Sequence, residues 1–454
     1  MKAHYILALL AIVPFFSQAQ TTQMIGTTEV TIDTLTSEMT IPWEIRVENN
    51  EYLWVTERGG ILSRVNLTTG VKTIVMDLTS SVQATGEGGL LGMALHPQFS
   101  TTPEVFLVYT YGQPDGNGMF YEKLVKYTFN GTTLTDPVEL LNMIPAAGIH
   151  NGSRLMFMED NTLLMSTGDH GDSDVAQIPS ALGGKYLRLN TDGSVPEDNP
   201  FNGSHVYSLG HRNSQGIAIL PDGTIVISEH GPSTDDEISV LAPGKNYGWP
   251  LVHGFCDQGF ESDPCETDLY TEPIQAWSPT IATSDMVYYR NDYFPEWNNR
   301  LLMTTLNGQK LVAMQLNQDV TDVTDEDVYF QGQYGRLRDI AIGPNMEIYI
   351  ATNNGGTGAQ PILRITPPYF LGTEEFATHD FLVYPNPVND LITIRHDLAD
   401  AEFVIVDLNG NQVFSVPANE KETATHAVKL LPGFYYAELT QNGVLMGRQK
   451  LMKL

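Results

Sequence analysis

Basic residues are scarce in this chain of 454: 24 Lys and Arg stand against 54 Asp and Glu, a formal charge of −30 at pH 7. A surface of that sign repels nucleic-acid phosphates and anionic lipid headgroups, which argues against a nucleic-acid partner. Cysteine is nearly absent. Only Cys256 and Cys265 occur, within GFCDQGFESDPCETD, and two thiols on one short loop suit a disulfide in an oxidising compartment. Zinc would need two further soft ligands, and no Cys or His pair at finger spacing supplies them. Past the N-terminus no apolar run is long enough to span a bilayer, so no transmembrane segment is predicted. Convincing helical periodicity is missing there as well, which leaves an all-β chain.

What is present starts with MKAHYILALLAIVPFFSQAQ. Lys2, an apolar run from Ile6 to Phe16 and small residues at Ser17 and Ala19 read as a signal peptide over residues 1–19, cleaved on export. A membrane anchor would need roughly 18 or more apolar residues. The expectation is therefore a secreted or cell-surface protein.

One pattern then recurs six times: a turn, a run of alternating apolar residues, a polar turn, a second apolar strand, and polar residues with glycine. It is seen in IPWEIRVENNEYLWVTERGGILSRVN, GLLGMALHPQFSTTPEVFLVYTYG, NGSRLMFMEDNTLLMSTGDHGD, NSQGIAILPDGTIVISEHGP, SDMVYYRNDYFPEWNNRLLMTTLNG and GRLRDIAIGPNMEIYIATNNGG. Further short strands, such as GKYLRLNTDG and DEISVLAPG, bring each unit to four. Six four-stranded units predict a six-bladed β-propeller over residues 24–368, an architecture that hides most strand edges; an array of β-sandwiches is the alternative. Residues 369–379 read as a polar linker after Pro367-Pro368. Residues 380–454 form a second run of short strands with hairpin signals at Asn409-Gly410 and Asn442-Gly443, predicting a small C-terminal β-sandwich.

In a propeller, the loops between blades gather at one mouth of the channel, so the chemistry is sought in the turns. Arg212, Arg336 and Arg338 all begin units beside Gly or Asn, which suggests an anionic ligand. Guanidinium groups grip carboxylates bidentately and keep their charge, so three of them suit a polycarboxylate. The plainer reading is that each pairs with a neighbouring acid, as Arg338 would with Asp339. HGPSTDDEISVLAPGKNYGWP mixes carboxylates, hydroxyls and a Gly-Pro turn, oxygen chemistry that suits calcium, although its spacing is not that of an EF-hand. GEGG at Gly86–Gly89 lacks the following helix that a phosphate cradle needs. His150 reads most simply as a turn histidine. Its partner raises the functional reading: an imidazole can accept a hydroxyl proton near neutral pH, and a carboxylate such as Asp169 can fix its tautomer. The two strands between them are about the right length to return Asp169 to the edge where His150 starts.

Taken together, IPWEI, TERGGILSRV, GEGGLLGMALHPQF, HNGSRLMF, STGD, LRLNTDGSVPEDNPF, GHRNSQGIA, EHGPSTDDEI, GKNYGWP and GRLRDIAIGP resemble the soluble PQQ-dependent aldose dehydrogenases of the glucose/sorbosone dehydrogenase family. The resemblance runs from about Ile41 to Pro367. It implies a six-bladed propeller holding pyrroloquinoline quinone, a planar tricarboxylate, with Ca2+. It further implies oxidation of an aldose at C1 to its lactone, with electrons passing to an external acceptor. On that resemblance His150 is the base, Asp169 orients it, and Arg212 stabilises charge on the quinone oxygen. Asn213, Arg336 and Arg338 match cofactor contacts, the carbonyls of Gly231 and Pro232 match ligands of the cofactor's calcium, and Glu237 and Tyr247 match a further, structural calcium site. Two positions depart. Glu87 stands where glucose-oxidising members carry a cofactor-touching glutamine, and Asn307 stands where they carry a cofactor-binding lysine, with Lys310 three residues on. The tail, through YPNPVND, VDLNGNQV, LPGFYYAEL and GRQKLMKL, resembles the C-terminal sorting domain of type IX secretion substrates and implies that machinery as a partner. Two other readings use the same scaffold, a non-catalytic binding propeller and a calcium-dependent lactonase.

Overall fold

The computed structural model describes residues 21–259, 261, 265, 269–354, 360–367, 381–384, 388, 391–406, 412–418, 422–426, 430, 433–441 and 444–453. The proposed signal peptide, the linker and the Asn-Gly turns of the tail lie outside these residues. The described chain is all-β. Apart from strands, the named elements include only a short 3-10 turn, Ser173–Gln177, and no described helix is long and apolar enough to cross a membrane.

Eight antiparallel sheets divide between two compact units that part after Thr366. In the first unit each of the six repeats is one sheet, and each sheet begins with a strand of similar register: Pro42–Val47, Leu90–Leu95, Gly152–Phe157, Ser214–Ile219, Thr283–Tyr289 and Leu337–Ile342. Those six strands contact one another in cyclic order, the last meeting the first. The sixth sheet is completed from the other end of the chain. Thr28–Met39 pairs with Gln360–Thr366, and Thr21–Ile25 adds an outer strand.

The strands hold their places because both faces are apolar or small. LLMST, IVISE and IYIAT are buried at every position, as expected for strands covered by a sheet on each side. Many hairpins reuse one device, an Asp whose carboxylate caps the backbone two residues on. Asp160, Asp192 and Asp222 accept the N–H groups of Thr162, Ser194 and Thr224 at 2.9, 3.0 and 3.0 Å.

Polar side chains of the first strands meet at the centre of the ring. Arg154, fully buried, reaches Asp339 at 3.0 Å, Glu44 at 3.2 Å and Asp285 at 3.5 Å, linking the third sheet to the sixth, first and fifth. Its Nε–H also donates to the Gln215 carbonyl at 2.9 Å. The Cys256–Cys265 disulfide forms, with Cα atoms 6.0 Å apart. In the second unit, sheets of three and four strands share one apolar core that includes Ile392, Ile394, Phe403, Ile405, Leu439 and Leu451.

Candidate active site

The third sheet brings the first pair of site residues together. Gly152–Phe157 runs antiparallel to Leu163–Thr167 with Gly152 opposite Thr167, so His150 and Asp169 leave the hairpin at the same edge. His150 Nδ1 lies 2.7 Å from Asp169 Oδ1. A carboxylate only accepts hydrogen bonds, so Nδ1 carries the proton and Nε2 presents the free lone pair. Burial works to raise the Asp169 carboxyl. The bonds from His150, from the Gly171 N–H at 2.8 Å and from the Trp249 indole N–H at 2.9 Å outweigh it and hold the group below its ordinary value.

The backbone at this edge is tight. His150 adopts φ +55°, a left-handed conformation uncommon for residues other than glycine, though histidine tolerates it better than most. It is secured from both sides: its N–H donates to Glu87 Oε2 at 2.9 Å and its carbonyl accepts from the His170 N–H at 3.1 Å. Gly168 of STGD must be glycine because a Cβ there would lie 1.8 Å from the His150 carbonyl oxygen.

Arg212 is gripped through its backbone. Its N–H donates to Glu229, which also holds the His211 ring at 2.9 Å, and its carbonyl accepts from the Asp169 N–H at 2.8 Å. The guanidinium donates to the His230 carbonyl at 3.1 Å and lies over the Trp249 ring, 5.3 Å from its centroid. Its Nε is buried with no partner among the described residues. Burial lowers its pKa against the pull of Asp169 and Glu229.

A cavity of about 340 Å³ opens beside this edge, walled by Arg58, Glu87, Asn213, His230, Arg336 and Arg338, with Trp43, Leu91 and Leu306 as apolar surface. Asn213 Oδ1 accepts from the Gly152 N–H at 3.1 Å, which fixes the amide against the hairpin that carries His150. Arg338 does not pair with Asp339, whose carboxylate serves Arg154; it donates instead to Gln215 Oε1 at 2.9 Å. Burial, then Arg154 and Arg336, push Arg338 down to about 9, so it stays cationic at neutral pH. Burial also lowers Arg58, with Glu87 opposing and Arg336 adding to the shift. His230 is pushed down to about 3 by burial, and its Nε2–H donates to the Thr283 carbonyl at 2.6 Å, so a neutral imidazole faces the cavity. Among the described residues, Arg58, Arg212, Arg336 and Arg338 have no ion-pair partner, whereas Arg46, Arg64, Arg154 and Arg188 do.

The remaining expected residues sit less centrally. Asn307 is exposed and donates to the Thr280 carbonyl at 3.3 Å; its neighbour Leu306, not Asn307, walls the cavity. The Gly231 N–H donates to Asp236 Oδ1 at 2.9 Å, and the carbonyls of Gly231 and Pro232 accept no hydrogen bond from any described residue. Glu237 is buried and accepts the Gly254 N–H at 3.0 Å. Burial, then Glu229, raise its carboxyl well above the ordinary range. The Tyr247 hydroxyl donates to the Val240 carbonyl at 2.7 Å and accepts from the Ala242 N–H at 2.9 Å, while its ring stacks on His211 with centroids 4.6 Å apart. No group of three or more His, Cys, Asp and Glu among the described residues is arranged around a metal position.

Among the site residues that escape the sequence reading are Arg58, Glu229 and Trp249. The first two lie inside motifs already quoted, TERGG and EHGP, and Trp249 is the penultimate residue of GKNYGWP. Arg58 carries the same signal as Arg212, a basic residue at a glycine turn in an acidic chain. Nothing local marks the other two.

An imidazole–carboxylate pair thus stands beside a cavity lined by guanidinium groups without ion-pair partners among the described residues, on an all-β scaffold. The chain belongs to the family described as Glucose / Sorbosone dehydrogenase, whose model matches residues 39–364, and it is an oxidoreductase of that class. Residues 382–453 match the secretion system C-terminal sorting domain, which marks the chain for export by the type IX route. Among curated relatives, the aldose sugar dehydrogenase YliI of Escherichia coli is 29% identical over 351 residues, 74% of this chain and 93% of its own. The quinoprotein glucose dehydrogenase B of Acinetobacter calcoaceticus is 31% identical over 389 residues, 67% of this chain and 81% of its own. Among solved structures, the PQQ-bound aldose sugar dehydrogenase of Streptomyces coelicolor superposes with a TM-score of 0.63 at 29% identity, covering 77% of this chain and 99% of that one.

Proposed function

We propose that this chain is a secreted quinoprotein that oxidises an aldose at C1 to its lactone, with PQQ as cofactor, Ca2+ beside it and an external electron acceptor. One observation carries the reading. In a protein of net charge −30, three guanidinium groups without acid partners among the described residues, Arg58, Arg336 and Arg338, line one cavity, with Arg212 against the carbonyl of its wall residue His230 and a tautomer-fixed histidine beside it. Burial lowers both Arg58 and Arg338 and the neighbouring Arg336 adds to each shift, so these cations stand crowded and poorly hydrated, and a planar tricarboxylate would supply the negative charge that offsets them.

Arg58, Arg336, Arg338 and Asn213 would hold the cofactor, with Arg212 reaching it from beside His230. The carbonyls of Gly231 and Pro232, unengaged by any described donor, are hard oxygen ligands of the kind calcium takes. Bound PQQ supplies an acceptor for the hydride that leaves C1 of the sugar. His150 Nε2 takes the proton of the anomeric hydroxyl, and Asp169 stabilises the imidazolium that results. Arg212, poorly hydrated and held by its backbone, faces developing negative charge at a fixed position, an electrostatic contribution of about 2–4 kcal/mol. Glu87 is tolerated among these charges because it is occupied by the His150 N–H and attracted by Arg58. Glu237 and Tyr247 are assigned to a separate structural calcium, where a cation would relieve the crowding of Glu237 against Glu229.

The six cyclically ordered sheets are read as the blades of a propeller over residues 24–368, and the two-sheet tail as a small sandwich at 380–454, joined by the linker at 369–379. Residues 1–19 are read as the signal peptide removed on export. The test adds PQQ and calcium to the purified protein and follows dye reduction with glucose, xylose and maltose. Turnover that His150→Ala abolishes while PQQ absorbance is retained supports the assignment. No turnover with any aldose and no cofactor absorbance refutes it.

A further inference from the structure

We propose that Trp249 is a positioning residue that ties the proton-accepting pair to Arg212; this rests on the function proposed above. Its indole N–H donates to Asp169 Oδ2 at 2.9 Å while Oδ1 of the same carboxylate holds His150 Nδ1 at 2.7 Å. The face of the same indole lies under the Arg212 guanidinium, 5.3 Å from its centroid. One side chain thus touches both the group that orients the base and the cation that stabilises charge.

Trp249 is itself fixed by the two segments that it joins. Its N–H donates to the Gly210 carbonyl at 3.0 Å, two residues before Arg212. Its own carbonyl accepts from Gln177 Nε2 at 2.7 Å, at the end of the 3-10 turn that follows Asp169. Gln177 is in turn clasped to Asn246 by amide bonds of 3.0 and 2.8 Å. A shift of either segment therefore moves the indole with it.

The chemistry of the indole suits this place. An indole N–H only donates and does not titrate in the working range, so it satisfies Oδ2 permanently and leaves Oδ1 for the imidazole. Removing that donor makes the carboxylate a stronger acceptor, which stabilises the imidazolium and raises the His150 pKa. The charged and titratable groups around His150 are Asp169, Glu87 through the His150 N–H, His230, and Arg212 beyond Asp169. Of these, Trp249 touches Asp169 and Arg212, and its replacement acts on His150 through the Asp169 carboxylate.

The test compares Trp249→Phe, which keeps an aromatic face but loses the donor, with Trp249→Leu, which loses both. In the apo full chain, NMR titration of the His150 ring is expected to show its pKa raised by about half a unit to one unit in Trp249→Phe. An unmoved pKa overturns the proposal. With PQQ and calcium, Trp249→Phe is expected to bind cofactor within about twofold of the parent while the acid limb of kcat/KM moves to higher pH. Trp249→Leu is expected to weaken PQQ binding by about threefold to tenfold in addition. Identical behaviour of the two variants in both binding and pH profile overturns the proposal. Should Trp249→Leu fail to fold, the Trp249→Phe titration decides alone. A parent protein that turns over no sugar refutes the proposed function, yet leaves that titration as a valid test of Trp249.

Discussion

Arg154→Met is the perturbation that most directly tests how the ring is held. Arg154 is fully buried and serves three carboxylates from three other sheets: Asp339 at 3.0 Å, Glu44 at 3.2 Å and Asp285 at 3.5 Å. Its guanidinium also lies 4.5 Å from the Trp43 ring centroid. Methionine keeps the length and the apolar contact, but leaves those acids with Arg46, which bonds Glu44 and lies 3.6 Å from Asp285. Breaking a buried pair from one side costs about 3–5 kcal/mol. At about 2.1 cal/mol/K per residue, a unit ending at Thr366 has an unfolding entropy of about 0.7 kcal/mol/K, so the midpoint should fall by about 4–7 °C. The pH dependence has a definite sign. Burial pushes Glu44 and Asp339 up and Arg154 pulls both back; without it their folded pKa values rise further above the unfolded ones. Stability held by such acids is present below the unfolded pKa and lost as pH rises through the folded pKa, so the deficit should be larger at pH 8 than at pH 5. Scanning calorimetry at both pH values measures it. A midpoint within about 1 °C of the parent at both, or a larger gap at pH 5, would show that the ion cluster does not hold the ring together.

Glu122 is buried, bonded to the Ser153 hydroxyl, and pushed up to about 8 by burial. Glu122→Gln should therefore raise the midpoint by about 2–4 °C at pH 8 and by less at pH 5, because the parent loses stability as pH rises toward 8; thermal melts at both values check it. Arg58→Gln should weaken PQQ binding by about tenfold with kcat within about twofold, since Arg58 walls the cavity without touching the His150–Asp169 pair; equilibrium titration against steady-state kinetics separates the two. Gly168→Ala places a methyl 1.8 Å from the His150 carbonyl and should cost about 2–4 kcal/mol of stability. It should also reduce turnover more than cofactor binding, as measured by melts and the dye assay.

The six repeats were legible because each first strand and its hairpin partner alternate apolar and polar residues on a short period, and that pattern survives in any single stretch. Closure of the ring was not. Thr28–Met39 pairs with Gln360–Thr366, a contact between opposite ends of the chain that no local pattern announces. The same limit applied to charge. Arg154 and Arg338 both stand in the first strands of their repeats, in GSRLMF and GRLRDI, but one residue out of step, because Leu155 and Ile340 hold the same place in their hairpins, and sequence could not say which would meet acids. The structure places Arg154 among three carboxylates and leaves Arg338 on Gln215 at the cavity wall. His150 and Asp169 were legible as a pair because one hairpin of countable length joins them. Trp249 and Glu229 were not, because their roles depend on loops of different repeats meeting.

The two departures from the family pattern are best weighed as one charge balance. Asn307 replaces a positive residue and Glu87 adds a negative one, so by position alone the cavity has lost two units of attraction for a tricarboxylate. The geometry changes that account. Asn307 is exposed and turned to the Thr280 carbonyl, off the cavity wall, whereas Arg58 stands on the wall and is drawn to Glu87. Glu87 is also committed to the N–H of His150, whose backbone is left-handed. The carboxylate therefore works on the protein side of the cavity, holding the base in place, and Arg58 offsets its charge while Arg336, Arg338 and Arg212 remain for a ligand. Exchange of Glu87 for glutamine should accordingly tighten cofactor binding only slightly, and should loosen the His150 loop, because a neutral amide is a weaker acceptor for that N–H than a carboxylate.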